Sequence, residues 1–79
     1  MTTVEDILRL LKNRSTRDTA LIEKAYLFSE KAHAGQKRFS GEPYFNHITT
    51  VTLHLAKLGM DVSTVVAGLL HDSMEDAGI

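Results

Sequence analysis

Apolar residues recur every three to four positions along this 79-residue chain, and short polar or glycine-containing segments interrupt them three times. No stretch shows the strict alternation of apolar and polar residues that is typical of a half-buried strand. The chain is therefore predicted to be all-α, a bundle of about four helices. The expected helices span residues 4–12, 17–34, 43–58 and 61–72.

Polar residues and glycines mark the expected helix ends. Thr2 and Glu5 have the spacing of a capping box at the first helix. Gly35 is the expected left-handed stop of the second helix. Asp61 or Ser63 caps the fourth.

The helical spacing also predicts which residues form the core. The first two helices each carry an apolar stripe, and VVAGLL in the fourth is expected to be buried. The stripes consist of Val4, Ile7, Leu8 and Leu11 in the first helix, and of Leu21, Ile22, Ala25, Phe28 and Ala32 in the second.

Composition narrows the classes of protein. A formal net charge of −1 lacks the basic excess of a nucleic-acid-binding protein. The absence of cysteine excludes disulfides and thiolate metal sites. The N-terminal segment is acidic where a signal peptide is basic, and no apolar run approaches the ~20 residues of a membrane span. We expect a cytoplasmic protein that binds neither nucleic acid nor membrane.

The fourth helix ends in HDSMED, which pairs histidine with hard oxygen donors. His71 and Asp72 are adjacent, and on an ideal helix their side chains diverge by ~100°, so we expect both to reach one metal only at a helix end. Residues 75–78 read as a turn, which fits that expectation. Imidazole plus carboxylate suits Mn²⁺, Fe²⁺ or Zn²⁺, and His47 on the preceding helix would add a second nitrogen.

The dipeptide alone also has a plainer interpretation. His71 is favoured at a helix C-terminus by the macrodipole, and Asp72 is a common turn residue. Glu75 and Asp76 follow His71 at four and five residues, where carboxylates are placed to orient a water or accept its proton. Both interpretations stay open on these residues alone.

Three longer motifs at fixed separations favour the metal site. KAH-x-GQKR, SGEPY-x-x-H and LLHD-x-x-ED lie between residues 20 and 76, and together they resemble the hydrolase domain of the RelA/SpoT family within the HD superfamily. The resemblance implies an all-helical HD domain that binds one Mn²⁺. It also implies an enzyme that removes the 3′-diphosphate of guanosine tetra- or pentaphosphate, which gives GDP or GTP and pyrophosphate.

The resemblance implies roles for individual residues around the metal. His47, His71 and Asp72 match three metal ligands of the family. Glu75 and Asp76 match the acidic pair that activates the attacking water. Both pairs are intact, unlike in the degenerate members that only synthesise the nucleotide.

A second group of residues lies in the loop before the third helix. Arg38 matches a basic residue of the nucleotide site, where a guanidinium can stack on a purine or pair with phosphate. Lys37 and Ser40 lie beside it and are expected to contact phosphates. The plainer interpretation of Lys37 and Arg38 is that they are solvated loop charges.

The chain departs from the family at several positions. Ile48 stands where proline is usual, Phe39 where a basic residue is common, and Ala77 where threonine is usual. Phe39 is expected either to stack on a base or to cover the edge of the core. The family also has later helices, one of which brings a second aspartate to the metal, so residues 1–79 are expected to be the N-terminal part of the domain.

Two consequences are expected from that length. The chain alone would have little or no hydrolase activity, and the apolar face of VVAGLL would need cover, which predicts a homo-oligomer. The two other histidines have plainer predicted roles: His33 favours the helix dipole near Gly35, and His54 packs. Tyr26, Phe28 and Tyr44 are expected in the core or at its edge.

Two other functions stay open. The chain could be an HD phosphohydrolase for another nucleotide, although GQKR and SGEPY argue against it. It could also be a non-catalytic helical regulatory module that keeps the family's pattern without a working site.

Overall fold

A computed structural model of the chain describes residues 3–11 and 14–76, with side chains described as far as Leu70. The backbone forms four helices: α1 (Val4–Leu10), α2 (Thr16–Ala32), α3 (Tyr44–Lys57) and α4 (Val62–Asp76). Within the described ranges there is no strand, only an isolated bridge between Lys37 and Pro43. The all-α prediction is confirmed.

The end of α4 differs from the prediction. Residues 71–76 continue the helix, so the expected helix end at His71 and Asp72 is wrong, and so is the turn expected to begin at residue 75. The physical reason is that no glycine or proline follows Gly68 before residue 78, and a helix continues where nothing breaks it. The HD pair and the acidic pair therefore lie on one uninterrupted helix.

Side-chain caps begin three of the helices. In α1 the capping box pairs Thr3 with Asp6, one residue later than predicted, and the Thr3 backbone N–H donates to Asp6 Oδ2 at 2.9 Å. Asp61 rather than Ser63 caps α4, since Asp61 Oδ1 accepts from the Thr64 N–H at 2.9 Å. In α2 a capping box pairs Ser15 with Asp18.

Glycines follow α2 and α3, and the stop predicted at Gly35 is confirmed. Gly35 has φ of 80° and Gly59 has φ of 79°, both in the left-handed region that glycine enters without steric cost. These residues let the chain leave each helix and start the next segment.

The core forms where α4 packs against α2 and α3, and α1 closes the remaining side by packing on α2 and α3. The predicted α1 stripe is confirmed, with Ile7, Leu8 and Leu11 buried. Ile48, at the position where the family has proline, is also buried in this core.

The buried face of α2 differs from the prediction. Leu21 is 46% exposed and Phe28 39% exposed, so neither is a core residue. The buried face of α2 also includes polar side chains. Its buried positions are Ile22, Ala25, Tyr26 and Ser29, followed by His33 at its C-cap.

The apolar run in α4 is covered within the chain. Val65, Val66 and Leu69 are all buried against neighbouring helices. The prediction that the VVAGLL face needs cover from another copy is therefore wrong for these three residues. The homo-oligomer stays a prediction. None of the described helices is long and apolar enough to cross a membrane.

α3 and α4 approach each other closely at Gly68. A Cβ at this position would lie 2.8 Å from the Leu55 side chain and 3.6 Å from Thr52 Oγ1. The missing side chain lets the two helices that carry the HD motif residues pack tightly.

Candidate functional site

The loop between α2 and α3 is folded by its own backbone. The Arg38 N–H donates to Glu42 O at 2.9 Å, the Gly41 N–H donates to Arg38 O at 2.9 Å, and the Tyr44 N–H donates to Gln36 O at 2.8 Å. With the bridge between Lys37 and Pro43, these bonds make a short hairpin. These backbone bonds fix the residues at the tip of the hairpin.

The hairpin borders an open cavity of about 740 Å³. Arg38 and Lys37 are exposed, and neither forms an ion pair with a carboxylate among the described side chains. Both charges are therefore available to an anion. The lining residues are Gln36, Lys37, Arg38, Phe39, Ser40, Glu42 and Tyr44.

Phe39 is fully exposed in this loop. The alternative prediction that Phe39 covers the edge of the core is wrong, because its side chain is outside the core. An exposed aromatic ring next to a guanidinium offers a flat apolar surface to a ligand.

His47 lies one turn inside α3 and is half-buried. Its ring packs edge-on against Tyr44, with the ring centroids 5.8 Å apart. Tyr44 also lines the loop cavity, so a single residue connects His47 to the predicted nucleotide loop. No described residue forms a hydrogen bond with the His47 imidazole.

The remaining predicted site residues lie on α4. The side chains of His71, Asp72, Glu75 and Asp76 lie outside the described residues, so their convergence with His47 stays a prediction. Their backbone positions are helical, and α4 packs against α3. On such a helix His71 and Glu75 are one turn apart, as are Asp72 and Asp76, so the four residues occupy adjoining faces.

The predicted ligands His47, His71 and Asp72 can be compared with the ligand preferences of Mn²⁺, the metal that the family resemblance implies. Among the described side chains, no three His, Asp or Glu residues are grouped closely enough to hold an ion, and only His47 of the predicted ligands falls among them. Two imidazoles and one carboxylate fit Mn²⁺ chemically, with further positions left for water or substrate.

His33 is a residue whose role the sequence did not reveal. It is 2% exposed, its Nδ1 is hydrogen-bonded to Gln36 Oε1, and its ring stacks on Tyr44 with centroids 5.1 Å apart. The expected role in the helix dipole missed this burial. Its spacing of four from Ser29, on the buried face of α2, was the available signal. His54, in contrast, is exposed on α3, so its predicted packing role is wrong.

Comparison with known proteins places this helical arrangement in a class. The HD domain family matches residues 25–79, which include the loop, His47 and the whole HDSMED segment. The chain therefore belongs to the HD domain family.

The curated relatives narrow the class to RelA/SpoT-type proteins and confirm the resemblance seen in the motifs. The chain is 49% identical over 77 residues to a GTP pyrophosphokinase of Streptomyces antibioticus, covering 92% of this chain and 9% of that protein. It is 44% identical over 73 residues to a guanosine-3′,5′-bis(diphosphate) 3′-pyrophosphohydrolase of Aquifex aeolicus, covering 92% and 10%.

A third relative carries both activities in its name. The chain is 48% identical over 61 residues to the bifunctional (p)ppGpp synthase/hydrolase RelA of Mycobacterium tuberculosis, covering 77% of this chain and 8% of that protein. The chain thus spans about a tenth of the length of these relatives.

Proposed function

We propose that this chain is part of a guanosine-3′,5′-bis(diphosphate) 3′-diphosphatase domain that acts in alarmone metabolism. The observation that carries the proposal is the contact between Tyr44 and His47. It joins the first predicted metal ligand to a loop whose two cations have no ion pair among the described side chains. The names of relatives include both synthases and hydrolases. The HD family match and the intact HD and ED pairs favour hydrolysis.

The metal centre in this proposal uses residues of two packed helices. His47 on α3 and His71 and Asp72 on α4 would hold a Mn²⁺ ion. When bound, such an ion neutralises phosphate charge and lowers the pKa of a coordinated water. Glu75 and Asp76, one turn further along α4, would orient the attacking water and accept its proton.

The hairpin supplies the nucleotide contacts in this proposal. Arg38 would pair with phosphate or stack on the purine, and Lys37 would place a second cation near the diphosphates. The Ser40 hydroxyl can donate to a phosphate oxygen. Phe39 adds an exposed ring on which the guanine can stack.

We expect little or no turnover of guanosine tetraphosphate by these 79 residues alone. They supply three metal ligands and one wall of a cleft, whereas catalysis of phosphate-ester cleavage needs a rigid, largely water-excluding site. The loss of a single partner around a metal commonly costs ~10–100-fold in affinity or activity.

The test measures pyrophosphate release from guanosine tetraphosphate with added Mn²⁺. It compares the chain with a chimaera in which the following sequence of the Aquifex aeolicus relative continues after residue 79. We expect turnover by the chimaera only, and its abolition by Asp72→Ala. ATP and dGTP serve as competing substrates.

Two results would contradict the proposal. Turnover of ATP or dGTP in preference to guanosine tetraphosphate would indicate an HD phosphohydrolase for another nucleotide. A folded chimaera that binds the nucleotide but never cleaves it would indicate a regulatory module.

A further inference from the structure

His33 contacts both ends of the loop between α2 and α3, at Gln36 and at Tyr44. At the start of the loop, its carbonyl accepts from the Gln36 N–H at 3.0 Å and its Nδ1 is bonded to the Gln36 side chain. At the end of the loop, its ring stacks on Tyr44 with an interplanar angle of 28°. A further bond joins the two ends directly, from the Tyr44 N–H to Gln36 O at 2.8 Å.

The bond between Nδ1 and Gln36 Oε1 fits the His33 tautomer that carries its proton on Nδ1, because an amide oxygen accepts. In that tautomer Nε2 is an acceptor. Nε2 is shielded from solvent and has no partner among the described residues. Burying an unpartnered acceptor is unfavourable, so filling the core does not explain a histidine at this position.

The contacts continue from Tyr44 to the predicted metal ligand. One face of the Tyr44 ring stacks on His33, and the same ring meets His47 edge-on. His33 therefore lies at the junction of the hairpin that carries Arg38 and the helix that carries His47.

We propose that His33 is a positioning residue that clasps the base of the loop. Its Nδ1–H holds Gln36 and so the hairpin that presents Arg38, and its ring holds Tyr44 against His47. That the hairpin binds guanosine tetraphosphate rests on the proposed function, whereas the contacts of His33 with Gln36 and Tyr44 do not.

Two substitutions separate the two halves of the clasp. His33→Phe keeps a ring to stack on Tyr44 and removes the donor to Gln36. His33→Asn keeps a donor near the position of Nδ1 and removes the ring. Ile7→Val is the control, because Ile7 is equally buried but lies in α1, outside the loop and outside the two helices of the predicted metal centre.

The first measurement is independent of any ligand. Amide hydrogen exchange reports the loop bonds made by the N–H groups of Arg38, Gly41 and Tyr44. We expect His33→Phe to speed exchange at these amides by about tenfold, with the Thr19 amide at the start of α2 unchanged. Loop amides that exchange as in the wild type in both His33 variants would overturn the clasp.

The second measurement is the nitrogen-15 spectrum of the His33 imidazole. We expect a proton on Nδ1, and Gln36→Leu should release that preference while leaving the helices intact. A ring protonated on Nε2 in the wild-type protein would contradict the proposed hydrogen bond.

The third measurement separates positioning from general stability. In the chimaera, His33→Phe should weaken binding of guanosine tetraphosphate by about tenfold and leave Mn²⁺ affinity unchanged, as measured by electron paramagnetic resonance. His33→Asn should lower Mn²⁺ affinity through Tyr44 and His47, and Ile7→Val should change neither. Equal losses of both affinities in all three variants would make His33 merely structural.

The design also separates failure of the clasp from failure of the proposed function. Faster loop exchange together with no nucleotide binding by the wild-type protein would retain the clasp and refute the nucleotide. Nucleotide binding that neither His33 variant affects would refute the clasp and retain the nucleotide.

Discussion

At the scale of single residues, an aromatic residue follows a cationic one in the exposed loop, and both line its cavity. Phe39 is fully exposed and Arg38 precedes it in a hairpin closed by backbone bonds. Because the hairpin already orders the backbone, a ligand that binds there need not pay for ordering it.

The chain has no tryptophan, so Phe39→Trp creates a single fluorescent reporter. We expect its emission, in a chimaera whose appended segment contains no tryptophan, to be quenched by guanosine tetraphosphate and not by pyrophosphate, because stacking requires the base. Phe28→Trp, on the outer side of α2, is the matched control and should respond to neither. Identical responses at the two positions would rule out base stacking on Phe39.

Two helix caps are expected to make stability depend on acid pH. Hydrogen bonds from Thr64 lower the pKa of Asp61 below its ordinary value of 3.8, and the backbone N–H of Thr3 does the same for Asp6. A lowered pKa in the folded state means that the stabilisation is complete above the ordinary value. It is lost as pH falls through the folded value.

We therefore expect the melting temperature of the chain to fall as pH drops below about 4. Asp61→Asn keeps a good cap that does not titrate, so the melting temperature of this variant should depend less on pH in that range. Circular dichroism at 222 nm, a wavelength that reports helix, measures both proteins. A variant with the same acid dependence as the wild type would show that Asp61 contributes nothing.

At the scale of helices, α3 and α4, which carry the predicted metal ligands, pack against each other. His47 is on one helix and the HD pair is on the other, and at Gly68 the two helices are so close that an added Cβ would lie 2.8 Å from the Leu55 side chain. A β-branched side chain at this position must displace Leu55 and Thr52 or separate the helices.

Gly68→Val should destabilise the chain by about 1–3 kcal/mol, because the added atoms overlap Leu55 and Thr52. Gly68→Ala is the control. Its methyl group meets only the flexible end of Leu55, and alanine gains up to ~1 kcal/mol of helix propensity, so we expect a change within about 1 kcal/mol. Urea unfolding followed by circular dichroism gives both values. Equal effects of alanine and valine would mean that the helices are not in close contact.

At the scale of the whole molecule, a small core carries the stability. Proteins of this size have a total stability of ~4–12 kcal/mol, so one buried residue accounts for a large share. Leu69 is fully buried where α4 meets its neighbours, whereas Leu58 after α3 is 64% exposed.

Leu69→Ala should cost about 2–5 kcal/mol and lower the melting temperature by roughly 10 °C or more. Leu58→Ala removes the same atoms from an exposed position and should change stability by less than about 0.5 kcal/mol. Calorimetry of the two variants is the measurement. A similar loss from both would show that Leu58 is buried in solution, for example by a second copy of the chain.

Much of the local structure was predictable from the residues alone. Helix positions follow from apolar periodicity, and Gly35 and Gly59 end α2 and α3 because they reach left-handed backbone angles. The loop motif and the HD pair indicated the family, because sequence motifs are read directly. These features depend on neighbours in the chain, which the sequence specifies.

The tertiary structure decided which side of each helix is inside. Leu21 and Phe28 fit the helical period of α2 but are exposed, because α1 and α4 cover a face that also includes Ser29 and His33. Contact between His33 and Tyr44 joins residues on opposite sides of a loop, and no local spacing encodes such a contact. The sequence by itself determined the helices and the family, whereas burial and the clasp depended on how the helices pack in three dimensions.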